Sequence, residues 1–150
     1  MEHLQVSLRA VPESELPRWS PGAVLILVTQ GTQPHAIPVS AAVRAGPRRA
    51  LLGLAHSRES LTRLRAAHAV GLVILGEGDV AVTAYGVARV RDPALTDGVA
   101  AVEVEVSWVQ DHNRDTFEIE SGVGWRWTDE AAQRRDAELR AALARLAEED

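Results

Sequence analysis

The stretch LLGLAHSRESLTRLR, residues 51–65, changes its hydrophobic pattern part-way along and so marks the passage from one kind of element to another. Its apolar beginning predicts a strand over 50–56. From residue 57 onward, Leu61 and Leu64 fall three apart, which predicts a short helix. Hydroxyl, imidazole and guanidinium side chains lie between the two elements, a combination suited to binding an anion where a helix begins.

Segments typical of strands flank this stretch on both sides, and six are predicted in all: 23–30, 34–43, 50–56, 69–75, 79–90 and 99–110. Their hairpin-type spacing indicates a mainly antiparallel sheet. After the last strand, Thr128 predicts the start of a final helix, with Asp129 and Glu130 in its first turn. We therefore expect one domain over residues 1–150 with an α+β, mainly β fold. Its six strands suit a small barrel, with a short helix between strands three and four and a C-terminal helix.

Two of these strands carry more specific predictions. Pro34 and Pro38 lack the backbone N–H that the interior of a sheet requires, so the strand at 34–43 should lie at an edge or bulge. Such a strand leaves backbone groups unpaired. The strand at 99–110 alternates regularly. Its pattern predicts inward-facing Val102, Val104, Val106 and Trp108, and outward-facing Glu103, Glu105 and Ser107.

The overall composition is that of an ordinary soluble domain. Of the 150 residues, 46% are hydrophobic and 25% are charged, and the formal net charge is −5. This acidic balance argues against general binding to nucleic acid or to a membrane surface, both of which favour basic residues. The sequence has no apolar run of the roughly 18 residues that a membrane span needs and no secretory signal at its start, so we expect a cytoplasmic protein.

Two amino acids are missing from the sequence, and each absence excludes a class of chemistry. There is no cysteine, which excludes thiol catalysis, disulfides and thiolate metal sites. There is no lysine either, since all sixteen basic residues are arginine. This excludes Schiff-base catalysis and the phosphate-loop lysine.

Three further patterns have ordinary interpretations. GEGDVA, residues 76–81, has the letters of a dinucleotide-binding turn, but strand-like residues follow it where that turn requires a helix, so we interpret it as a hairpin turn. Glu103 and Glu105 project from one face of a strand and are interpreted as a solvated face or a subunit contact rather than a catalytic pair. No metal site is predicted, because the histidines match no metal-binding spacing: His3, His35, His56, His68 and His112.

The junction after residue 55 is the leading candidate for a binding site. A helix N-terminus presents unpaired N–H groups and a partial positive charge, and Arg58 adds a guanidinium suited to bidentate contact with phosphate. Arg63 can join it, and Ser57, Ser60 and Thr62 supply hydroxyl groups. The competing interpretation is that Ser57 or Ser60 caps the helix and the arginines lie on the surface, and the sequence leaves both open.

A second candidate is the pair of indoles in GWRW, residues 124–127. Trp125 and Trp127 project to the same side of this segment, with Arg126 opposite. The indoles either pack over an open end of the sheet or border a flat ligand, which can belong to a neighbouring subunit.

The motifs VTQGTQPHAIPVSAAV, LLGLAHSRESLTRLRAAHAVGLVI and VAVTAYGVARV, in this order within residues 22–110, resemble the pyridoxamine 5′-phosphate oxidase-like proteins, the FMN-binding split barrels. Members of that family typically carry G-x-PHxxPV on the second strand, then a Ser/Arg-rich junction, then a strand with V-x-G-x-A-x-V. The resemblance implies a six-stranded split β-barrel that forms a homodimer. It also implies an FMN in each of two clefts at the subunit interface, and a small-molecule substrate.

The resemblance further implies two groups of cofactor-binding residues. The phosphate would lie among His56, Ser57, Arg58, Ser60, Thr62 and Arg63, and the isoalloxazine ring would lie along Pro38, Val39, Ser40 and Ala41. Trp127 would reach the flavin from the other subunit.

The chain also departs from the family. It has Ser60, Arg63 and His68 where many relatives have Lys, Asn and Pro, so Arg58 or Arg63 must supply the basic contact. GWRWTDEAAQRR matches only part of the C-terminal signature of true pyridoxamine phosphate oxidases, which argues against vitamin B6 oxidation. One hypothesis is an FMN-dependent oxidoreductase with no assigned catalytic residue, because the flavin carries the redox chemistry. The other is a non-enzymatic protein that binds a flavin, the deazaflavin F420 or haem, the last through His35, His56 or His112.

Overall fold

The computed structural model describes residues 15–149, and its central feature is one antiparallel sheet of seven strands. Two helices accompany the sheet within the described residues: α1 lies between β4 and β5, and α2 follows β7. The strands are β1 (Leu25–Thr29), β2 (His35–Val39), β3 (Ala42–Gly46), β4 (Arg49–Ala55), β5 (Ala69–Gly76), β6 (Val80–Thr96) and β7 (Val99–Asp111), and the helices are α1 (Glu59–Ala66) and α2 (Glu130–Glu148).

The order of the strands shows that the sheet is rolled up. Neighbours follow the order β2-β1-β5-β6-β7-β4-β3, so β2 and β3 form opposite edges. Only Ser40 and Ala41 connect these two edge strands. Three extended residues span at most about 11 Å, so the sheet must curl until its edges come close. The edges do not form a ladder with each other, and the barrel is therefore not closed.

Apolar side chains fill the inside of the curled sheet and also cover part of its outside. Leu27, Leu52 and Leu72 are fully buried in the inner cluster, which the inner faces of the strands supply together with α1. A second cluster lies on the outer face, where Leu143 of α2 packs with Leu51 of β4. The C-terminal helix therefore covers the outer side of the sheet next to β3 and β4.

The edge position predicted from the prolines is confirmed, whereas the predicted count of six strands is wrong. Pro38 lies in edge strand β2, opposite Ile26 of β1. The segment predicted as one strand, 34–43, breaks at Ser40 because β2 pairs with β1 while β3 pairs with β4 at the other edge. The additional strand places α1 between the fourth and fifth strands rather than between the third and fourth.

The alternation predicted for β7 holds through Val106 and then fails. Val102, Val104 and Val106 face the core, but Trp108 does not. The register shifts opposite Tyr85 and Gly86, so the strand bulges and Trp108 turns outward to stack on Tyr85, with ring centroids 4.6 Å apart. A Cβ at Gly86 would overlap the Glu105 carbonyl oxygen, so the bulge needs glycine at this position.

Glu103 points outward as predicted, but the prediction of a solvated face is wrong for this residue. Only 4% of Glu103 is exposed. Arginines from two neighbouring strands cover its carboxylate: Arg91 Nη1 lies 2.5 Å from Oε1, Arg89 Nη2 lies 3.5 Å from Oε2, and Arg49 Nη1 lies 3.6 Å from Oε1. Arg49 also donates to the Ala147 carbonyl of α2, so this cluster connects the sheet to the end of the helix.

Candidate functional site

The predicted cofactor-binding residues lie in two places, the link between β2 and β3 and the segment that runs from the end of β4 into α1. The Gly53 N–H donates to the Ala41 carbonyl over 2.9 Å, so the link between β2 and β3 runs beside the last residues of β4. His56 and the start of α1 follow immediately. The pairing of β3 with β4 brings the link to Gly53, three residues before His56, whereas Arg63 reaches the turn at the other end of β2.

Among residues 15–149, no side chain caps the N-terminus of α1. Arg58 occupies the N-cap position in an extended conformation, with φ −72° and ψ 128°, and no side chain bonds to the first turn. The interpretation of Ser57 or Ser60 as a capping residue is therefore wrong. The Ser57 hydroxyl and the Arg58 guanidinium are exposed, and neither makes a hydrogen bond or ion pair within the described residues. An uncapped helix start beside a free guanidinium favours an anion.

The other two hydroxyl residues of the junction lie on different faces of α1. Ser60 is fully buried with Leu61 and Leu64, and its Oγ has no hydrogen-bond partner among the described residues. A buried hydroxyl without a partner generally costs about 1–3 kcal/mol. Thr62 is exposed. The accessible polar groups at the helix start are therefore those of Ser57 and Arg58, with Thr62 one turn further on.

Arg63 is already committed to two partners. Its Nε donates to Glu59 Oε2 over 2.6 Å, and its Nη1 donates to the Gln33 carbonyl over 2.9 Å. The hydrogen bond and charge of Arg63 hold the pKa of the Glu59 carboxyl below its usual value. Arg63 thus ties α1 to the turn between β1 and β2 and neutralises the acidic group of the first turn, which leaves Arg58 as the cation available to a ligand.

His56 connects the end of β4 to the last part of β6 and to the turn between β6 and β7. Its ring Nε2 donates to the Pro93 carbonyl over 2.7 Å, and its backbone N–H donates to the Gly98 carbonyl over 2.9 Å. The other proposed haem ligands have hydroxyl partners: His35 Nδ1 lies 3.3 Å from Thr29 Oγ1, and His112 Nε2 lies 2.8 Å from Thr83 Oγ1. His3 lies outside the described residues.

The four residues predicted to line a flavin ring present few free groups. Val39 faces the inner core, and Ala41 is buried in the outer cluster beneath α2. Pro38 is exposed and Ser40 is half-buried, but the Ser40 carbonyl accepts a hydrogen bond of 2.5 Å from Arg140 Nη2 of α2. Sequence reasoning missed Arg140. The only local signal was its spacing of four residues from Asp136, to which its Nε donates over 2.8 Å.

Trp127 lines two clefts. It meets Trp125 edge-to-face, with ring centroids 5.2 Å apart and planes at 84°. One cleft, of about 320 Å³, lies between Trp127 and the turn that joins β6 to β7. Val99, at the start of β7, borders this cleft and pairs with Ala55 at the end of β4. The other, of about 540 Å³, contains Trp125, Trp127 and Arg140. Both volumes are typical of small-molecule sites.

The described residues also leave an apolar surface uncovered on the outside of β1, β5, β6 and β7. Val87 is 55% exposed and Trp108 is 37% exposed on this face. A cleft of about 590 Å³ runs along this face. We call this surface the outer sheet face and define it by Val28, Val73, Tyr85, Val87 and Trp108.

Within residues 15–149, no three or more histidine, aspartate or glutamate side chains come together in a way that suits a metal ion. None of the described helices combines the length and the apolar character needed to cross a bilayer.

Comparison with known proteins shows similarity of fold rather than of sequence. No family model and no curated protein matches the chain. A Listeria innocua protein, provisionally named a pyridoxamine 5′-phosphate oxidase, superimposes with a TM-score of 0.53 at 10% identity, over 75% of this chain and 97% of that one. A protein with the same provisional name from Lactobacillus delbrueckii gives 0.51 at 17% identity, over 58% and 83%. The NADH:FAD oxidoreductase SgcE6 of Streptomyces globisporus gives 0.50 at 14% identity, over 71% and 82%.

The chain has the split-barrel fold of these proteins. The fold implied by the sequence motifs is thus confirmed, with seven strands in place of six. Within this split barrel, the start of α1 can hold an anionic group through backbone N–H groups, the Ser57 hydroxyl and the Arg58 guanidinium.

Proposed function

We propose that the chain binds FMN through its phosphate at the start of α1 and acts in the cytoplasm as a flavin-dependent oxidoreductase on a small molecule. The observation that carries this proposal is the N-terminus of α1, where the part of the chain that the structure describes offers no cap and no partner for the Arg58 guanidinium or the Ser57 hydroxyl. The split-barrel fold supports it, because a solved protein of the same fold is an NADH:FAD oxidoreductase. Ser60, Thr62, Arg63 and His56 would surround the phosphate more distantly.

The flavin ring would lie along the link between β2 and β3, where Pro38 and Ser40 are accessible and Val39 and Ala41 contribute backbone. Arg140 would fix this link, because its guanidinium holds the Ser40 carbonyl. Trp127 would border the flavin, either from the other subunit, as the family resemblance implies, or within the chain, where it lies beside the turn whose Gly98 carbonyl binds the His56 N–H. A bound flavin supplies the chemistry by accepting or donating hydride at its N5 atom. The side chains of the site would bind and orient it, and no residue is assigned as catalytic.

A wild-type titration tests the phosphate assignment directly. We expect an absorption spectrum typical of flavin in the protein as isolated or after addition of FMN. We also expect FMN to bind at least about tenfold more tightly than riboflavin, because riboflavin has the same ring without the phosphate and a charged hydrogen bond contributes about 1.5–3 kcal/mol. Equal affinity for the two compounds would contradict the phosphate site. A haem spectrum would identify haem as the cofactor in place of FMN. Binding of the deazaflavin F420 without binding of FMN would identify F420 as the cofactor.

The alternative function is a carrier or sensor that binds the flavin without turnover. The site favours this alternative in one respect: the polar groups at its edge, Arg63 and the Ser40 carbonyl, are already paired within the chain. Anaerobic mixing of the flavin-loaded protein with NADPH or reduced F420 separates the two functions. Loss of the flavin absorbance at about 450 nm supports the oxidoreductase. A flavin that neither donor reduces supports the carrier.

We also propose that the protein is a homodimer that buries the outer sheet face. Val87 is half exposed on this face, beside the stacked pair of Tyr85 and Trp108. Replacing Val87 with glutamate should weaken dimerisation at least about tenfold, because a charge would be buried without a partner. Sedimentation velocity over a range of concentrations measures this effect. Val123→Glu is the matched control, since Val123 is 69% exposed and lies outside this face. A monomeric wild type, or equal behaviour of the two variants, would exclude this interface.

A further inference from the structure

We call the larger of the two clefts beside Trp127 the aromatic cleft. Its volume is about 540 Å³. The segment before α2 forms one wall with Trp125, Arg126 and Trp127, and the opposite wall comes from the residues around Gly22 and Gly76. The two indoles are 39% and 38% exposed, although they are the largest apolar side chains nearby. Their exposed rings favour an aromatic partner.

Hydrogen bonds hold this wall in place, so the exposure of the indoles does not come from a loose chain. Trp125 Nε1 donates to the Gly22 carbonyl over 2.8 Å. Further back along the segment, the Ile119 N–H donates to Asp79 Oδ1 over 3.0 Å. At the other end, Asp129 caps α2 by accepting from the Ala132 N–H over 3.2 Å. Three separate anchors therefore fix the segment against the barrel and α2.

The unpaired polar groups of the cleft include two donors. The Arg126 guanidinium and the Trp127 Nε1–H make no hydrogen bond within residues 15–149. Asp136 is already neutralised by Arg140, whose Nε lies 2.8 Å from its Oδ2. Glu77 is the remaining acidic group of the lining, and it is exposed on the opposite wall. The donors on the tryptophan wall therefore suit a ligand that carries an acceptor with negative charge.

We propose that the aromatic cleft binds a planar aromatic carboxylate. The ring would contact the indoles of Trp125 and Trp127, and the carboxylate would pair with Arg126. This site is separate from the start of α1, and the proposal does not depend on flavin binding. Trp127 borders both clefts, so one side chain can serve the two sites.

The probe is 2-naphthoate, added to the ¹⁵N-labelled full chain. The protein has four tryptophans and hence four indole N–H signals, which single Trp→Phe variants assign: Trp19, Trp108, Trp125 and Trp127. We expect saturable shifts of the Trp125 and Trp127 signals. The Trp108 signal should stay unchanged, because this indole stacks on Tyr85 on the outer sheet face and is not part of the cleft lining. A shift confined to Trp108, or shifts that do not saturate, would overturn the proposal.

Matched ligands and variants test the two parts of the recognition. We expect 2-naphthamide, which lacks the charge, and cyclohexanecarboxylate, which lacks the aromatic ring, to bind more weakly. Arg126→Gln should weaken 2-naphthoate binding by about three- to tenfold, and Glu77→Gln should strengthen it because a repelling charge is removed. Arg134→Gln is the control, since Arg134 is exposed on α2 outside the cleft lining. Equal affinities for the three ligands, or equal effects of Arg126→Gln and Arg134→Gln, would overturn the proposal.

Discussion

Replacing Arg58 with alanine is expected to weaken FMN binding by about 1.5–3 kcal/mol, or roughly 10- to 150-fold. The Arg58 guanidinium is unpaired within the described chain and lies at the N-cap of α1, so a phosphate docked there would gain a charged hydrogen bond. The other arginine near the junction is Arg63, and it cannot substitute without leaving Glu59 and the Gln33 carbonyl. Titration of each variant with FMN, followed by flavin fluorescence, measures the change.

Arg65→Ala is the control for this variant. Arg65 is also exposed on α1 and makes no hydrogen bond or ion pair within residues 15–149, but it lies about 10 Å further along the helix axis. Its removal lowers the net charge equally and should leave FMN affinity almost unchanged. If both variants bind FMN equally well, or if Arg58→Ala binds like the wild type, the phosphate does not dock at the start of α1.

Replacing Glu103 with alanine is expected to lower the free energy of unfolding by about 3 kcal/mol. Removing one member of a fully buried ion pair costs about 3–5 kcal/mol, because the remaining charge is left uncompensated. The carboxylate of Glu103 is buried, but Arg89 is 63% exposed and can turn to solvent, so the lower end of this range applies. Urea denaturation followed by circular dichroism gives the value.

Glu105→Ala provides the comparison, since Glu105 is the next outward-facing residue of β7 and is exposed. A surface substitution of this kind usually changes stability by less than about 0.5 kcal/mol. Glu103→Gln should fall between the two, because it keeps the shape of the side chain and removes the charge. Equal stability of the two alanine variants would show that the arginine cluster contributes nothing to the fold.

The sequence predicted much of the fold because strand periodicity and proline chemistry are local. The edge position of β2 followed from Pro34 and Pro38, and the inward positions through Val106 followed from alternation. The bulge that turns Trp108 outward could not be predicted, because it depends on where β7 meets Gly86 of another strand. The break at Ser40 was missed for the same reason, since it depends on the partners that β2 and β3 choose.

The residues of the candidate site also differ in whether their signal is local in sequence. Ser57 and Arg58 could be proposed because a strand-to-helix junction is visible in sequence, and their exposure follows from their place at a helix start. Arg140 was missed because its contact with the Ser40 carbonyl joins residues one hundred positions apart. The burial of Glu103 was missed because it depends on arginines of two neighbouring strands. These are Arg89 and Arg91 of β6 and Arg49 of β4, which also contacts α2. Periodicity within one strand carries no information about any of these partners.

The link formed by Ser40 and Ala41 has a further consequence for ligand binding. Because two residues bridge opposite margins of the sheet, covalent connectivity sets the curvature at this end of the barrel. The backbone there is preorganised, so the chain loses little conformational entropy when a ligand docks along it. The same constraint predicts that inserting a residue into the link would disturb ligand binding. A longer link would allow the two edges of the sheet to move apart and would change the shape of the backbone along which the ligand docks.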